Sequence, residues 1–263
     1  MTRRVALLAV LLHTLPLVAD EQPFSHALLD QVLSTYVDDH GLVDYAGLKK
    51  DRQTLDTYID SLRATSPLNS PARFSTPQHA LAYWINAYNA IVLRGVVDAY
   101  PIASVKDIKI LNGFFNRMDW TIGGQTLTLD HIENKIIRPL YKDPRIHFVV
   151  NCGAVSCPEL ENRAFTGATL DDRLESAARR FANNKKHLYT KDNTLYLSKI
   201  LDWYGSDFSN WFPADRANPD ARPALVNYFL PYLPADQAER LKSSPMRIEF
   251  SAYNWALNEQ QKL

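Results

Sequence analysis

The sequence predicts a helix-rich α+β domain. Apolar residues recur every three or four positions through several long segments, which is the spacing of amphipathic helices. Short alternating runs flank the pair Gly123-Gly124, which is typical of a β-hairpin turn. Several helices with a small antiparallel sheet indicate the α+β class.

Composition favours a single globular domain over residues 20–263. Hydrophobic residues make up 46% of the 263 residues, enough for a sizeable core. No Gly/Ser linker, charge run or repeat divides the chain, and Pro213 and Asn218-Pro219-Asp220 indicate a loop. Without residues 1–19 the chain has 27 basic and 29 acidic residues, so nucleic acid is not an expected partner.

Residues 1–19 resemble a secretory signal peptide. Arg3-Arg4 precede an apolar run over 5–18, and Ala19 offers a small residue for cleavage. The run is short for a membrane span and is broken by His13 and Pro16. We expect a periplasmic or secreted protein with no membrane span after cleavage. A retained N-terminal anchor is the alternative.

Three helices are predicted in the first hundred residues. Their ranges are 24–42, ending at His40-Gly41, then 48–62, and then 76–100, where Thr76 can cap and Pro77 fits the first turn. Asn86 and Asn89 stand three apart in this third, otherwise apolar helix. Buried amides need hydrogen-bond partners. These two either fix a neighbouring loop or line a pocket and orient a substrate.

A hairpin and a helix follow. The hairpin pairs 120–122 with 125–129, and the helix covers 130–138. Asp130 and Glu133 have the spacing of a capping box, which gives these acids a structural explanation beside a functional one. His131 and Asn134 share a face of this helix. A lone histidine there is more often solvated or hydrogen-bonded than functional.

The second half of the chain continues the alternation of helices and short strands. The predicted elements are a helix over 169–184, a strand over 194–197, a helical or turn segment over 200–208, helices over 223–233 and 235–241, and a strand over 247–250.

Both cysteines lie in the stretch 145–158. The apolar run 147–152 predicts a buried strand, on which His147 and Cys152 point to opposite faces. The following loop can bring Cys157 back over either face of this strand. Pro158 suits the first position of a helix. Cys157 would then be the N-cap, where the helix dipole stabilises a thiolate. The cysteines either remain free or, as exported cysteines usually do, pair. A bridge closing so short a loop would add only about 2 kcal/mol to the free energy of unfolding. Because this is a weak stabilisation, the bridge would serve to shape the loop or act as a redox couple.

Six motifs resemble the DUF547 family. They are Val43-Asp44-Tyr45, residues 82–90, residues 129–133, residues 147–158, residues 200–208 and residues 253–258. Relatives are largely uncharacterised, and some animal relatives join this domain to a glutaredoxin-like one. The resemblance therefore implies thiol or glutathione-related chemistry, by analogy. Two positions depart from the family pattern, with Asn134 in place of a histidine and Asn254 in place of an aspartate.

Three functions remain open. The first is a thiol-dependent hydrolase or transferase acting on amide, thioester or glutathione-like bonds. Cys157 would be its nucleophile, Cys152 a weaker candidate and His147 the base. Glu133 would assist catalysis, with substrate contacts from Asn86, Asn89 and His131.

The second function is a noncatalytic cell-envelope binding or scaffold domain with a Cys152–Cys157 disulfide. The third is a metal site on His147, Cys152 and Cys157, which offers only three ligands at unusual spacing. We predict no metal and no cofactor. The expected partner is an unidentified small molecule or peptide.

Overall fold

The computed structural model describes residues 22–109, 111–211, 224–243 and 246–261. The predicted signal peptide and the loop around Pro213 and Asn218-Pro219-Asp220 lie outside these ranges. Within them the structure is rich in helix with two small sheets, which confirms the predicted α+β class. No helix in these ranges is both long and apolar enough to cross a membrane.

The α-helices are Ala27–Tyr36 (α1), Tyr45–Lys50 (α2), Gln53–Ala64 (α3), Pro77–Ala99 (α4), Gly113–Asn116 (α5), Leu129–His131 (α6), Arg138–Tyr141 (α7), Leu170–Asn183 (α8), Lys199–Trp203 (α9), Gly205–Trp211 (α10), Ala224–Phe229 (α11) and Ala235–Ser243 (α12). A π-helical segment, Ile132–Ile137, joins α6 to α7. The strands are Trp120–Ile122 (β1), Gln125–Leu127 (β2), Leu188–Lys191 (β3), Thr194–Leu197 (β4) and Arg247–Phe250 (β5).

Helix α4 forms the centre of the core. Its start is as predicted, because Thr76 accepts a hydrogen bond from the His79 N–H and Pro77 occupies the first turn. From Leu81 to Val97 the helix is buried almost all round, and α2, α3 and α8 pack against it. A helix buried on every side leaves no solvent face, so its polar residues must pair inside the protein.

The predicted hairpin is present. Strands β1 and β2 pair antiparallel around Gly123 and Gly124, both of which have positive φ. The turn also joins the hairpin to α3, because the Gly123 N–H donates to Leu62 O at 2.8 Å. Strand β2 ends at Leu127, two residues earlier than predicted.

The second sheet has the order β3-β4-β5. Strands β4 and β5 were predicted, but β5 runs parallel to β4, so only part of the sheet structure is antiparallel. Strand β3 was not predicted. It reaches β4 through Asp192 and Asn193, both in the left-handed region, as a tight hairpin turn requires.

Several predicted helices have different limits. The first helix ends at Tyr36 rather than residue 42, because Val37 and Val43 form an antiparallel bridge around the Gly41 turn. The predicted helix 48–62 is the pair α2 and α3, divided at residues 51–52. The segment 200–208 is helical but interrupted at Tyr204, between α9 and α10.

The C-terminal tail crosses the domain and covers the cysteine loop. The Val155 N–H donates to Ala256 O at 2.8 Å, and the Asn258 N–H donates to Gly153 O at 3.1 Å. The tail also bonds the segment before α2, where the Val43 N–H donates to Asn258 O. The tail thus holds the cysteine loop and the segment before α2 beside each other.

Candidate functional site

The stretch that carries His147 is a 3-10 helix rather than the predicted strand. It runs over Pro144–Phe148, where Asp143 accepts from the Arg145 N–H and Pro144 occupies the first turn. An apolar run of this length is compatible with a strand or with a buried helical turn, so the pattern alone was ambiguous.

Cys152 and Cys157 form a disulfide with an S–S distance of 2.16 Å. These are the two cysteines of the sequence. Cys157 is buried, with 2% of its surface exposed, and Cys152 is half-buried. The structure supports the paired alternative predicted above.

The predicted N-cap at Cys157 was wrong. No helix follows Pro158; the Cys157 N–H instead donates to Ala154 O, which closes a turn. The Asn151 side chain braces the same loop by donating to Pro158 O at 2.7 Å. Helix-dipole stabilisation of a Cys157 thiolate is therefore absent.

Tyr253 joins the C-terminal tail to the disulfide. Its hydroxyl lies 3.2 Å from Cys152 Sγ and 3.1 Å from Cys157 Sγ, and it donates because bridged sulfurs carry no proton. The Cys152 N–H also points at Cys157 Sγ, at 3.0 Å. Cys157 Sγ therefore faces two hydrogen-bond donors. Burial raises the pKa of Tyr253, and Glu133 adds to the shift.

His147 is held by a buried acid that the sequence did not single out. Its Nε2 lies 2.8 Å from Asp207 Oδ2, and its ring stacks on Tyr204 with the centroids 4.1 Å apart. Arg138 donates to both oxygens of Asp207, at 2.6 and 2.7 Å. Burial raises the pKa of Asp207, but the hydrogen bonds from His147 and Arg138 outweigh it and hold that pKa below its usual value.

Glu133 faces a cavity and does not cap a helix. The capping residue is Thr128, whose hydroxyl accepts from the His131 N–H at 3.1 Å. Asp130 accepts instead from the Asn134 side chain at 2.9 Å. The predicted capping box was therefore wrong. Glu133 lies in the π-helical segment, and such segments often mark functional positions because they re-aim a side chain.

Two tyrosine side chains interact with the Glu133 carboxylate. They belong to Tyr88 on α4 and Tyr204 between α9 and α10. Burial raises the pKa of both phenols, and the adjacent carboxylate raises it further. Both tyrosines therefore act as hydrogen-bond donors at neutral pH.

Asn86 and Asn89 hold loops and do not line the cavity. Asn86 donates to Phe165 O at 2.8 Å and accepts from the Phe165 N–H at 2.9 Å. Asn89 donates to Val149 O and accepts from the Asn151 N–H, both at 2.9 Å. Of the two interpretations left open by the sequence, these contacts support the structural one.

His131 is exposed and is not among the residues that line the cavity. Asn134, three residues further along, does line it. Asn134 also accepts a hydrogen bond from Arg138, at 2.7 Å.

The site is a cavity of about 360 Å³ between the disulfide and the helices. Six aromatic side chains line it: Tyr88, Phe115, Trp203, Tyr204, Tyr253 and Trp255. The remaining lining residues are Asn112, Asp130, Glu133, Asn134, His147, Val150, Cys152, Cys157, Pro158 and Ile200. The structure thus brings together four predicted site residues, namely Cys152, Cys157, His147 and Glu133.

Sequence reasoning missed the aromatic part of the site. Trp203, Tyr253 and Trp255 pack on one another, with Tyr253 4.8 Å from Trp203 and 4.6 Å from Trp255 between ring centroids. Trp203 is 45% exposed, unusual for so large an apolar side chain, and this was not apparent from spacing. Across the described ranges, no three His, Cys, Asp or Glu side chains are grouped as metal ligands.

Comparison with protein-family models gives a match over residues 72–182, to a family described as protein of unknown function. That family is DUF547. The resemblance found in the motifs is confirmed over this stretch, which contains Glu133, His147 and both cysteines. The DUF547 match does not include Asp207, Trp203, Tyr253 or Trp255. Neither the curated proteins nor the solved structures gave a match.

Proposed function

We propose that this protein is an exported binding domain that takes up a small organic molecule in the cavity beside the Cys152–Cys157 disulfide. One observation carries the proposal: an aromatic cavity contains a buried carboxylate, while the cysteines and His147 beside it are already paired with other groups.

Size and composition support binding. A volume of about 360 Å³ falls within the range of small-molecule sites. Such sites are mainly apolar with a few fixed polar groups. Here the polar groups are the Glu133 carboxylate and the hydroxyls of Tyr88 and Tyr204, which interact with that carboxylate.

A thiol-dependent hydrolase or transferase is less well supported. A nucleophilic cysteine must be a free thiolate, and both cysteines are bridged. His147 directs Nε2 at Asp207 rather than at a sulfur. An attack by Cys157 on an amide, thioester or glutathione-like bond would therefore require prior reduction of the disulfide.

Thiol–disulfide exchange is the second candidate, and the donors around Cys157 Sγ favour it. A small thiolate would attack the half-buried Cys152 Sγ, break the S–S bond and form a mixed disulfide on Cys152. Cys157 would leave as a thiolate that accepts from the Tyr253 hydroxyl and the Cys152 N–H. A second thiol would release Cys152 as a thiol and join the first in an oxidised disulfide.

Export rests on residues 1–19 and is consistent with the disulfide, because bridged cysteines persist in oxidising compartments. N-terminal sequencing of protein recovered from the periplasm or medium tests this part. We expect the mature chain to begin close to Asp20; a cytoplasmic protein that retains Met1 would contradict export.

A thermal-shift screen of small organic molecules tests binding. Val150→Phe places a larger side chain at the cavity wall, and Leu28→Phe adds one at a half-exposed position of α1 that does not line the cavity. Compounds that raise the melting temperature of the wild type should do so for Leu28→Phe and fail with Val150→Phe. Binding at this cavity is contradicted if no compound acts, or if every active compound protects Val150→Phe equally.

A further inference from the structure

We infer that the cavity selects a positively charged ligand, an amine or a quaternary ammonium. This rests on the proposed binding function and specifies the class of ligand. The observation behind it is the combination of two carboxylates and several aromatic rings in the lining of one cavity, with no Lys or Arg among its described lining residues.

The two carboxylates lie at different depths. Glu133 is 8% exposed and interacts with Tyr88 and Tyr204. Asp130, three positions earlier, is exposed. A cation entering the cavity would meet Asp130 first and Glu133 within, whereas an anion would be repelled by both.

The basic side chains at and near the cavity are engaged with other groups. His147, which is part of the lining, is paired with Asp207. Arg138 interacts with Glu133, but both oxygens of the buried Asp207 pair with it. Its charge is therefore offset by an acid that is not part of the cavity lining. Lys106 lies against the ring of Trp255, with Nζ 4.2 Å from the centroid.

The rings supply the second element of cation recognition. An aromatic face attracts a cation through its quadrupole, and Trp attracts most strongly. Two lining rings already do this inside the protein: Tyr204 has Arg138 Cζ at 5.0 Å, and Trp255 has Lys106 Nζ at 4.2 Å. Trp203 is 45% exposed and, within the described residues, has no such basic neighbour, so its surface is open to a ligand cation.

A matched pair of probes separates charge from shape. Choline and 3,3-dimethylbutan-1-ol have almost the same shape, but only choline is charged. Spermidine, a longer polyamine, extends the test to protonated amines. Binding to the wild type is measured by calorimetry and by the fluorescence of the cavity tryptophans.

Three variants accompany the probes. Glu133→Gln and Asp130→Asn each remove a cavity carboxylate with little change of shape, and Glu239→Gln removes one from exposed α12. Melting temperatures show which variants are folded. The affinities of choline and the neutral alcohol are compared on the wild type, so this test holds even if a variant fails to fold.

We expect choline or spermidine to bind at least about tenfold more tightly than the neutral alcohol. Glu133→Gln should remove most of this preference, Asp130→Asn should reduce it, and Glu239→Gln should leave it unchanged. The inference is overturned if the alcohol binds as well as choline, if neither cation binds, or if the preference survives in both cavity variants.

The binding function and the charge preference can fail separately. Suppose the thermal-shift screen yields only neutral or acidic ligands, and these fail to stabilise Val150→Phe. The cavity then binds small molecules and the cation inference is wrong. If that screen yields nothing, the binding function itself fails.

Discussion

The hydroxyl of Tyr253 lies within 3.2 Å of both sulfurs of the Cys152–Cys157 disulfide. This contact joins the C-terminal tail and the aromatic lining of the cavity to the disulfide. In a reduced protein the same hydroxyl would stabilise a thiolate on Cys157, because charged acceptors strengthen hydrogen bonds.

Tyr253→Phe removes this donor and keeps the ring. We expect reduction by dithiothreitol at pH 7 to be several-fold slower than in the wild type, because the leaving Cys157 thiolate loses one of two donors. Alkylation and intact mass give the rate. Tyr189→Phe, on β3, is the control and should behave as wild type. Equal or faster reduction of Tyr253→Phe would show that the hydroxyl does not assist exchange.

The Arg138–Asp207–His147 network should contribute strongly to stability. Asp207→Asn leaves Arg138 without its buried partner, and breaking such a pair costs about 3–5 kcal/mol. Urea unfolding measures the loss. Asp60→Asn breaks the exposed pair with Arg63 and should cost less than about 1 kcal/mol. Similar losses of unfolding free energy in the two variants would show that the network stabilises the folded state no more than an exposed ion pair does.

Asn89 should matter for folding and not for ligand binding. Asn89→Ala leaves Val149 O and the Asn151 N–H without their partners, at about 1–3 kcal/mol each. The free energy of unfolding should fall, while the affinity of a cavity ligand, measured where the variant is folded, should stay within about twofold. Asn162→Ala, at an exposed contact with Asp39, is the control. A loss of affinity in a stable Asn89→Ala would restore the substrate-binding role.

The buried His187 should make the protein less stable in mild acid. Burial, and then Lys186, lowers its pKa from 6.5 to about 2. Between these values the unfolded chain binds a proton that the folded chain does not. As far as His187 is concerned, the free energy of unfolding is therefore highest above pH 6.5. It falls as the pH falls, and at pH 4.5 it is lower by about 2–3 kcal/mol.

His187→Phe tests this directly, since the ring stacks on Phe181 at 4.0 Å and its Nδ1 has no partner among the described residues. The free energy of unfolding is measured in urea at pH 7 and at pH 4.5. Its fall between these two pH values should be smaller by about 2–3 kcal/mol in the variant than in the wild type. His26, whose pKa is lowered to about 4, also makes the protein less stable in acid, and it does so in both proteins. His131→Gln, at an exposed histidine, should not change the loss. An unchanged loss in His187→Phe would contradict the explanation.

Elements defined by neighbouring residues were predictable from sequence. Thr76 and Pro77 specify the start of α4, and Gly123-Gly124 specifies the hairpin, because capping and turn chemistry act over a few residues. Strand β3 was missed because its turn is Asp192-Asn193, a weaker signal than a glycine pair.

The site depends on contacts that spacing does not encode. The helix is capped by Thr128 rather than Asp130, so Glu133 falls beyond the capping positions and lines the cavity. Asp207 contacts His147 and Tyr253 contacts both cysteines across 60 or more positions in sequence, and Trp203 joins the same cavity lining. The cysteine pair and His147 could be proposed from sequence, but their partners could not.

Nuclear magnetic resonance of the indole N–H groups tests the central claim most directly. Of the five tryptophans, Trp203 and Trp255 line the cavity, while Trp84 and Trp120 are buried elsewhere. Signals are assigned with Trp203→Phe and Trp255→Phe, and a ligand from the screen is titrated into the wild type. We expect the Trp203 and Trp255 signals to shift in a saturable way while those of Trp84 and Trp120 stay in place. Saturable binding that leaves both cavity signals unmoved would contradict the assignment of this cavity as the binding site.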